Sequence, residues 1–245
     1  PKINRHPWEQ TTLRILQFLI KPYRRRKILD VGSGDAFIAS EIAKTNPGAT
    51  VTGVDINYTL EILETLSAIK PANLFLKKDL NEIKDFNNDS DIVVLMDVLE
   101  HIQEPAELLK FISTNFTNNN TIYVITVPAF QSLFSEHDRK LGHVKRYNLK
   151  KLKSLLRQCQ LQAISEGYVF TSLFVIRKIQ LLLEKKTGRH TYDDAGINNW
   201  KAGKLVSITI GLIFWMEFKI SWYLSKIGIH IPGLTCFCIC RRSPL

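Results

Sequence analysis

Asp30, Asp55 and Asp97 each close a short apolar run, and Gly32-Ser33-Gly34 follows the first of them. In an alternating α/β sequence such runs are strands, and ligands bind outside their carboxyl ends. The acids and the glycine turn are therefore expected around one crevice. Gly32 and Gly34 let the backbone turn tightly and approach a ligand with no Cβ in the way. Asp30, just before the first glycine, would repel a pyrophosphate but suits a ligand with a cationic end. Asp55 lies about twenty residues on, where a carboxylate can accept bonds from ribose hydroxyls. Asp79 and Leu80, after a third strand, can bracket a flat base that carries an exocyclic amine. A dinucleotide fingerprint would need a third glycine, and Phe37 stands in its place, which disfavours a nicotinamide cofactor.

A second group follows the fifth strand. Phe134-Ser135-Glu136-His137-Asp138 and Gly142-His143-Val144-Lys145-Arg146-Tyr147 bring two histidines, two carboxylates and a tyrosine to the same edge of the sheet. His137 is a candidate general base for an acceptor hydroxyl or amine, with Asp138 orienting it, and His143 is a second candidate. Arg146 suits an acceptor carboxylate or phosphate. The competing reading is that His143, Arg146 and Tyr147 are structural and tie the loop to the next helix. Cys236, Cys238 and Cys240 alternate with Phe237 and Ile239, so in a strand the three thiols share one face. Their spacing is not that of a zinc site, so a buried strand face is expected and no metal.

These residues need a frame. Apolar runs at 27–31, 50–54, 74–76, 91–96 and 121–127 alternate with helical patterns at 37–45, 59–69 and 105–116, after a first helix over 8–20. Asn148 is a candidate cap for a helix to 158, followed by strands over 161–170 and 235–240. The pattern predicts one domain over 1–245, with a Rossmann-like doubly wound, mostly parallel seven-stranded sheet. A helical insertion or lid over about 171–233 precedes the last strand. Its helices, 171–185 and 201–226, are rich in apolar and aromatic residues, including Phe214, Trp215, Phe218, Trp222 and Tyr223, with Lys201, Lys204, Lys219 and Lys226 among them. That pattern fits a lid packed on the domain with lysines reaching outward, or helices lying on a membrane. The run Leu205–Met216 ends at Glu217, too short to span a bilayer.

The formal charge of +10 favours acidic partners: an anionic membrane surface, a phosphate-bearing acceptor or nucleic acid. Four cysteines in 245 residues do not form a disulfide scaffold, and Pro1-Lys2-Ile3-Asn4 has no charged-then-apolar signal pattern. The expected location is the cytoplasm, including its membrane surface. Oligomeric state is not legible.

Taken as a set, Leu29-Asp30-Val31-Gly32-Ser33-Gly34, Gly53-Val54-Asp55 and Asp97-Val98-Leu99-Glu100-His101 resemble the successive motifs of class I S-adenosylmethionine (SAM)-dependent methyltransferases, over residues 25–128. The resemblance implies SAM as cofactor. Asp30, Gly32, Ser33 and Gly34 would lie at its methionine end, Asp55 and Ile56 at the ribose, and Asp79-Leu80 at the adenine. Asp97 and Val98 would lie beside the sulfonium, with His101, Arg146 and Tyr147 toward the acceptor. Ala36 departs from the pattern, because many members have a further glycine there, and tuned affinity is the expected result. The 134–147 region resembles a subgroup acting on small molecules or cell-envelope components. The expected activity is methyl transfer to an oxygen or nitrogen of a small-molecule or lipid-linked acceptor. Alternatives are an RNA methyltransferase and an inactive SAM-binding scaffold. Nucleic acid is disfavoured because strand four lacks an Asn/Asp-Pro-Pro-aromatic turn and no RNA-binding module is appended.

Overall fold

Strands and helices alternate in the order α1 (Pro7–Ile20), β1 (Lys27–Val31), α2 (Phe37–Thr45), β2 (Thr50–Val54), α3 (Leu60–Ser67), β3 (Leu74–Lys77) and β4 (Ser90–Met96). They continue with α4 (Pro105–Phe116), β5 (Thr117–Pro128), α5 (Glu136–Lys140), α6 (Leu149–Gln158), β6 (Leu161–Val169), α7 (Thr171–Thr187), α8 (Lys204–Ser225) and β7 (Thr235–Arg242). The structure, a computed structural model, describes residues 5–83, 89–187, 200 and 202–243. The Pro1-Lys2-Ile3-Asn4 stretch and Lys201 lie outside the described residues.

The sheet has seven strands in the order β3-β2-β1-β4-β5-β7-β6. Strands β1 to β5 pair in parallel, while β7 runs antiparallel between β5 and β6. The chain winds outward from β1 to β3 and then returns to the other side of β1 as β4. The crevice between the carboxyl ends of β1 and β4 is thus the topological switch point.

Period-two alternation splits the strand side chains between two apolar layers. Leu29, Val93, Leu95, Tyr123 and Ile125 face the layer that holds α4 and α6. Ile28, Ile92, Val94 and Val124 face the layer that holds α1, α2 and α8. The same rule places Cys236, Cys238 and Cys240 in the first layer and Phe237 and Ile239 in the second. All four cysteines are free and buried, so the alternating thiols are core residues. Asn148 caps α6 as expected, its side chain accepting from the Lys151 N–H at 2.8 Å.

Two features differ from the sequence reading: a helix where a loop was expected, and the apolar reach of α8, whose extent is close to the expected 201–226. Helix α5 stands where a loop was expected, held by a reciprocal box between Ser135 and Asp138. Helix α8 runs 22 residues straight through Glu217, and by length and composition it could cross a membrane. The charges do not stop it because the protein satisfies both. Glu217 accepts the Ser172 N–H at the start of α7, at 3.2 Å to each oxygen. The Lys219 ammonium lies 4.1 Å from the centre of the Phe18 ring and 5.0 Å from that of Tyr223. One face of α8 packs on the domain through Phe214, Phe218 and Ser221, and the Ser221 hydroxyl donates to the Tyr168 carbonyl at 2.8 Å. Phe218 is fully buried and meets Phe18 and Phe237 edge-on. Phe218→Ala should therefore cost about 3–5 kcal/mol. Denaturant unfolding would check this, and a loss below about 1 kcal/mol would mean that α8 does not hold the domain together.

Candidate active site

The turn after β1 is tied to β2 from below. The Gly32 and Ser33 N–H groups both donate to the Val54 carbonyl, at 2.7 and 3.0 Å. Gly32 has φ +74°, and a Cβ there would lie 2.5 Å from Val98 Cγ2. Only glycine lets the loops after β1 and β4 approach this closely. Gly34 donates its N–H to Asp55 Oδ2 at 2.8 Å, and Asn57 donates to Oδ1 at 2.9 Å, which fixes the Asp55 carboxylate at the mouth of the turn. A Cβ on Gly34, φ +54°, would project into open space, so the turn presents a bare backbone cradle. Behind it the Ser33 and Tyr58 hydroxyls meet at 2.8 Å. Ala36 has φ +59°, a left-handed backbone that costs an L-residue about 1–2 kcal/mol. That strain accounts for the glycine found there in the resembling family.

The crevice is acidic and dry. Asp30 is buried, and its Oδ2 finds no hydrogen-bond partner among the described residues. Burial, reinforced by the charge of Asp55, pushes its carboxyl up to about 7. Asp97, at φ +54°, accepts from the Thr126 hydroxyl at 3.1 Å, and burial raises its carboxyl as well. A ligand that brings an ammonium and a sulfonium supplies the positive charge this set lacks, so the residues fit SAM. Ile56, 79% exposed, offers an apolar surface beside Asp55. Asp79, the expected adenine contact, is exposed just after β3. Its Oδ1 accepts from Asn81 N and Nδ2 at 2.8 and 2.9 Å, so it caps the short turn that starts at Leu80. Leu80 is half-buried and packs against the core.

On the acceptor side the centre is Asp138, which is wholly buried. It accepts from Arg146 Nε at 2.7 Å, His143 Nδ1 at 3.0 Å, and Ser135 N and Oγ at 2.9 and 3.1 Å. These donors hold its carboxyl well below the usual carboxylate range despite burial. Asp138 therefore orients His143, not His137 as expected. His137 is exposed yet lines the acceptor-side cavity, and partial burial lowers its pKa. Arg146 is only 7% exposed and also donates to the Ala129 carbonyl at 3.2 Å, so its guanidinium holds the loop together. Tyr147 donates its hydroxyl to the Leu99 carbonyl at 3.2 Å and is structural rather than acceptor-binding.

A cavity of about 550 Å³ opens from this network, lined by Asp97, Glu100, His101, His143, Arg146 and, from α7, Arg177. Glu100, quoted in the strand-four motif but given no role there, is fully buried, and neither carboxylate oxygen is bonded to another described residue. Burial, then the charge of Asp97, pushes its carboxyl well above the ordinary range. His101 stacks edge-on against His143 with ring centres 4.7 Å apart, and burial lowers its pKa. One ligand atom from each of Glu100, His101 and His143 lies within 4.8 Å of the others, so this trio can hold a proton or a cation. The α7 contribution carries no local signal, since only the tertiary fold brings Arg177 over the cavity.

Gly32→Ala should weaken SAM binding at least about tenfold, because both the φ and the Val98 contact exclude a side chain. Unchanged affinity by isothermal titration would put SAM elsewhere. The raised carboxyl of Asp30 gives a second expectation. Its charge develops as pH rises through about 7, so affinity for the cationic cofactor should climb between about pH 6 and 7.5. Over the lower window, from the ordinary carboxylate range up to about 7, the ligand-free protein should lose stability, since the folded state holds this proton more tightly. Both slopes should flatten in Asp30→Asn, and a slope that persists would assign them to another group.

A family model described as a methyltransferase domain matches residues 3–166. The mitochondrial ubiquinone biosynthesis O-methyltransferase of Arabidopsis thaliana is 28% identical over 111 residues, 44% of this chain and 34% of that protein. The ubiquinone biosynthesis O-methyltransferase of Paracidovorax citrulli is 32% identical over 95 residues, 37% of this chain and 39% of that protein. The chain thus matches well under half the length of these curated relatives. Among solved structures, a SAM-dependent methyltransferase from Archaeoglobus fulgidus superposes with TM-score 0.54 at 18% identity, covering 94% of each chain. Phosphoethanolamine N-methyltransferase 2 of Haemonchus contortus, solved with SAM, gives TM-score 0.58 at 18% identity over 97% of this chain and 53% of that one. At these identities the superpositions speak for the fold. With the glycine turn, the acidic strand ends and the 134–147 loop all inside the matched residues, the chain belongs to the class I SAM-dependent methyltransferases.

Proposed function

We propose that this chain moves the SAM methyl group to an oxygen or nitrogen of a small, amphiphilic acceptor, lipid-linked compounds included, that enters beneath α7. The observation that carries this reading is the shared wall. The loop 97–101 touches the glycine turn through Val98 on one side and lines the 550 Å³ cavity through Asp97, Glu100 and His101 on the other. A methyl donor in the turn and an acceptor in the cavity would then meet across one loop. Leu173, Leu234, Leu141 and Trp8 give the cavity an apolar side that suits an acceptor with a hydrocarbon part. The curated relatives named as O-methyltransferases support an oxygen acceptor.

SAM, when bound, supplies an activated methyl group on a sulfonium. The chain's own task is alignment, which can lower a barrier by about 7–11 kcal/mol. It also receives the acceptor proton as the new bond to carbon forms and the carbon–sulfur bond breaks. His143 is placed for that proton: Nδ1 is committed to Asp138, which leaves Nε2 for the acceptor, and the buried carboxylate stabilises the imidazolium that results. Glu100 lines the cavity beside it and offers a carboxyl group for a hydrogen bond with the acceptor.

Labelled SAM incubated with cell extract, then fractionated, should mark the lipid and small-molecule pools. Label mainly in RNA would overturn the acceptor class. Once an acceptor is in hand, His143→Gln should lower kcat about 10²–10⁴-fold with SAM affinity unchanged. His137→Gln should leave kcat near that of the parent chain, and equal losses in the two variants would remove His143 from the role.

A further inference from the structure

We propose that α7 and α8 seat this chain on the surface of a bilayer that contains anionic lipids. The inference goes beyond the methyl-transfer reading and rests on the outer face alone. Leu205, Ile208, Leu212, Met216, Ile220 and Tyr223 follow one another at helical spacing along α8, and all are exposed, five of them by about half or more. The one charge on that stripe, Lys219, lies beside Met216 and Tyr223 and turns its ammonium onto the Phe18 and Tyr223 rings. Only 17% of the most apolar stretch of α8 is buried, whereas the core helix of a water-soluble domain would be mostly covered. Helix α7 repeats the arrangement. Leu173, Arg177, Gln180 and Glu184 line the acceptor cavity from one face, while Ile176, Ile179 and Leu183 are exposed on another. Apolar side chains left open along two neighbouring helices are the kind of surface that marks a membrane or protein contact.

The charge and the aromatic residues point to lipid. Lys226 lies 3.6 Å from the centre of the Trp222 ring and Lys219 5.0 Å from that of Tyr223, which places ammonium groups over amphipathic rings at the edge of the apolar stripe. Such lysine–aromatic pairs anchor helices at the level of lipid headgroups. The whole chain carries +10, which draws it to an anionic surface and opposes the apposition of a second copy. Helix α8 lies along the surface rather than across it, because Phe214, Phe218 and Ser221 keep its other face on β6 and α1. In that pose α7 is the partition between the bilayer and the cavity.

The test is flotation of the 245-residue chain with vesicles of phosphatidylcholine, alone or with about one third phosphatidylglycerol, without SAM or acceptor. The chain should float with the anionic vesicles and much less with the neutral ones, and salt should weaken the association. The double variant Leu212→Glu, Ile220→Glu should lose at least about tenfold in partitioning while keeping SAM affinity and thermal unfolding. Those two controls show that it is folded. Three results would overturn the proposal: no flotation of the parent chain, equal flotation of the variant, or a parent dimer in solution that the variant dissociates without any vesicle binding. Because flotation needs no catalysis, its failure is separate from a failure of the methyl-transfer assay.

Discussion

Negative charge held out of water at the switch point is the constraint around which the rest is arranged. Asp30, Asp97 and Glu100 sit at the carboxyl ends of β1 and β4, where the two apolar layers close over the sheet. Each would be more stable with a positive neighbour or with a proton, and nearby side chains do not fully supply either. A cationic cofactor answers the first need at Asp30 and Asp97, and the upward push of burial on the Glu100 carboxyl favours the second there. The same electrostatics that make the empty crevice costly make it selective for a ligand with a positive end.

Asp138 is the opposite case, a buried carboxylate with every need met. Its four donors come from Ser135, His143 and Arg146, so one residue joins α5, the following loop and the wall of the cavity. Removing either charged partner would leave the other buried and unpaired, the costly situation for such pairs. The network gives His143 a fixed tautomer and direction, whereas His137, one residue from the same aspartate, has neither.

Much of this was legible in the sequence. Lys27–Val31 and Thr50–Val54 are strands with the expected bounds, because fully buried parallel strands read as unbroken apolar runs between turn residues. The glycine turn and Asp55 could be placed because backbone conformation and strand ends dictate them. The pairing of Asp138 could not. His137 and His143 are chemically equivalent in a linear string, and the choice is made by Gly142, whose φ of +77° folds the chain so that His143 returns to Asp138. Helix α5 is too short for any periodicity to show. The helix expected over 201–226 was legible and is α8, but in a linear string its apolar reach ends at Glu217, until α7 and the rings around Phe18 are seen to receive Glu217 and Lys219.

The position of β7 has a consequence for how the chain is made. Strand β6 pairs only with β7, and β7 reaches back to β5 in a register that joins Cys240 to Tyr123. During synthesis β1 to β5 can assemble while β6, α7 and α8 are already outside the ribosome with no strand to complete them. The sheet closes only when the segment Thr235–Arg242 emerges, and contacts so distant along the chain form slowly. For that interval the nascent chain displays the open edges of β5 and β6 beside its most apolar helices, which makes the last strand the step that closes those edges to chaperones and to aggregation.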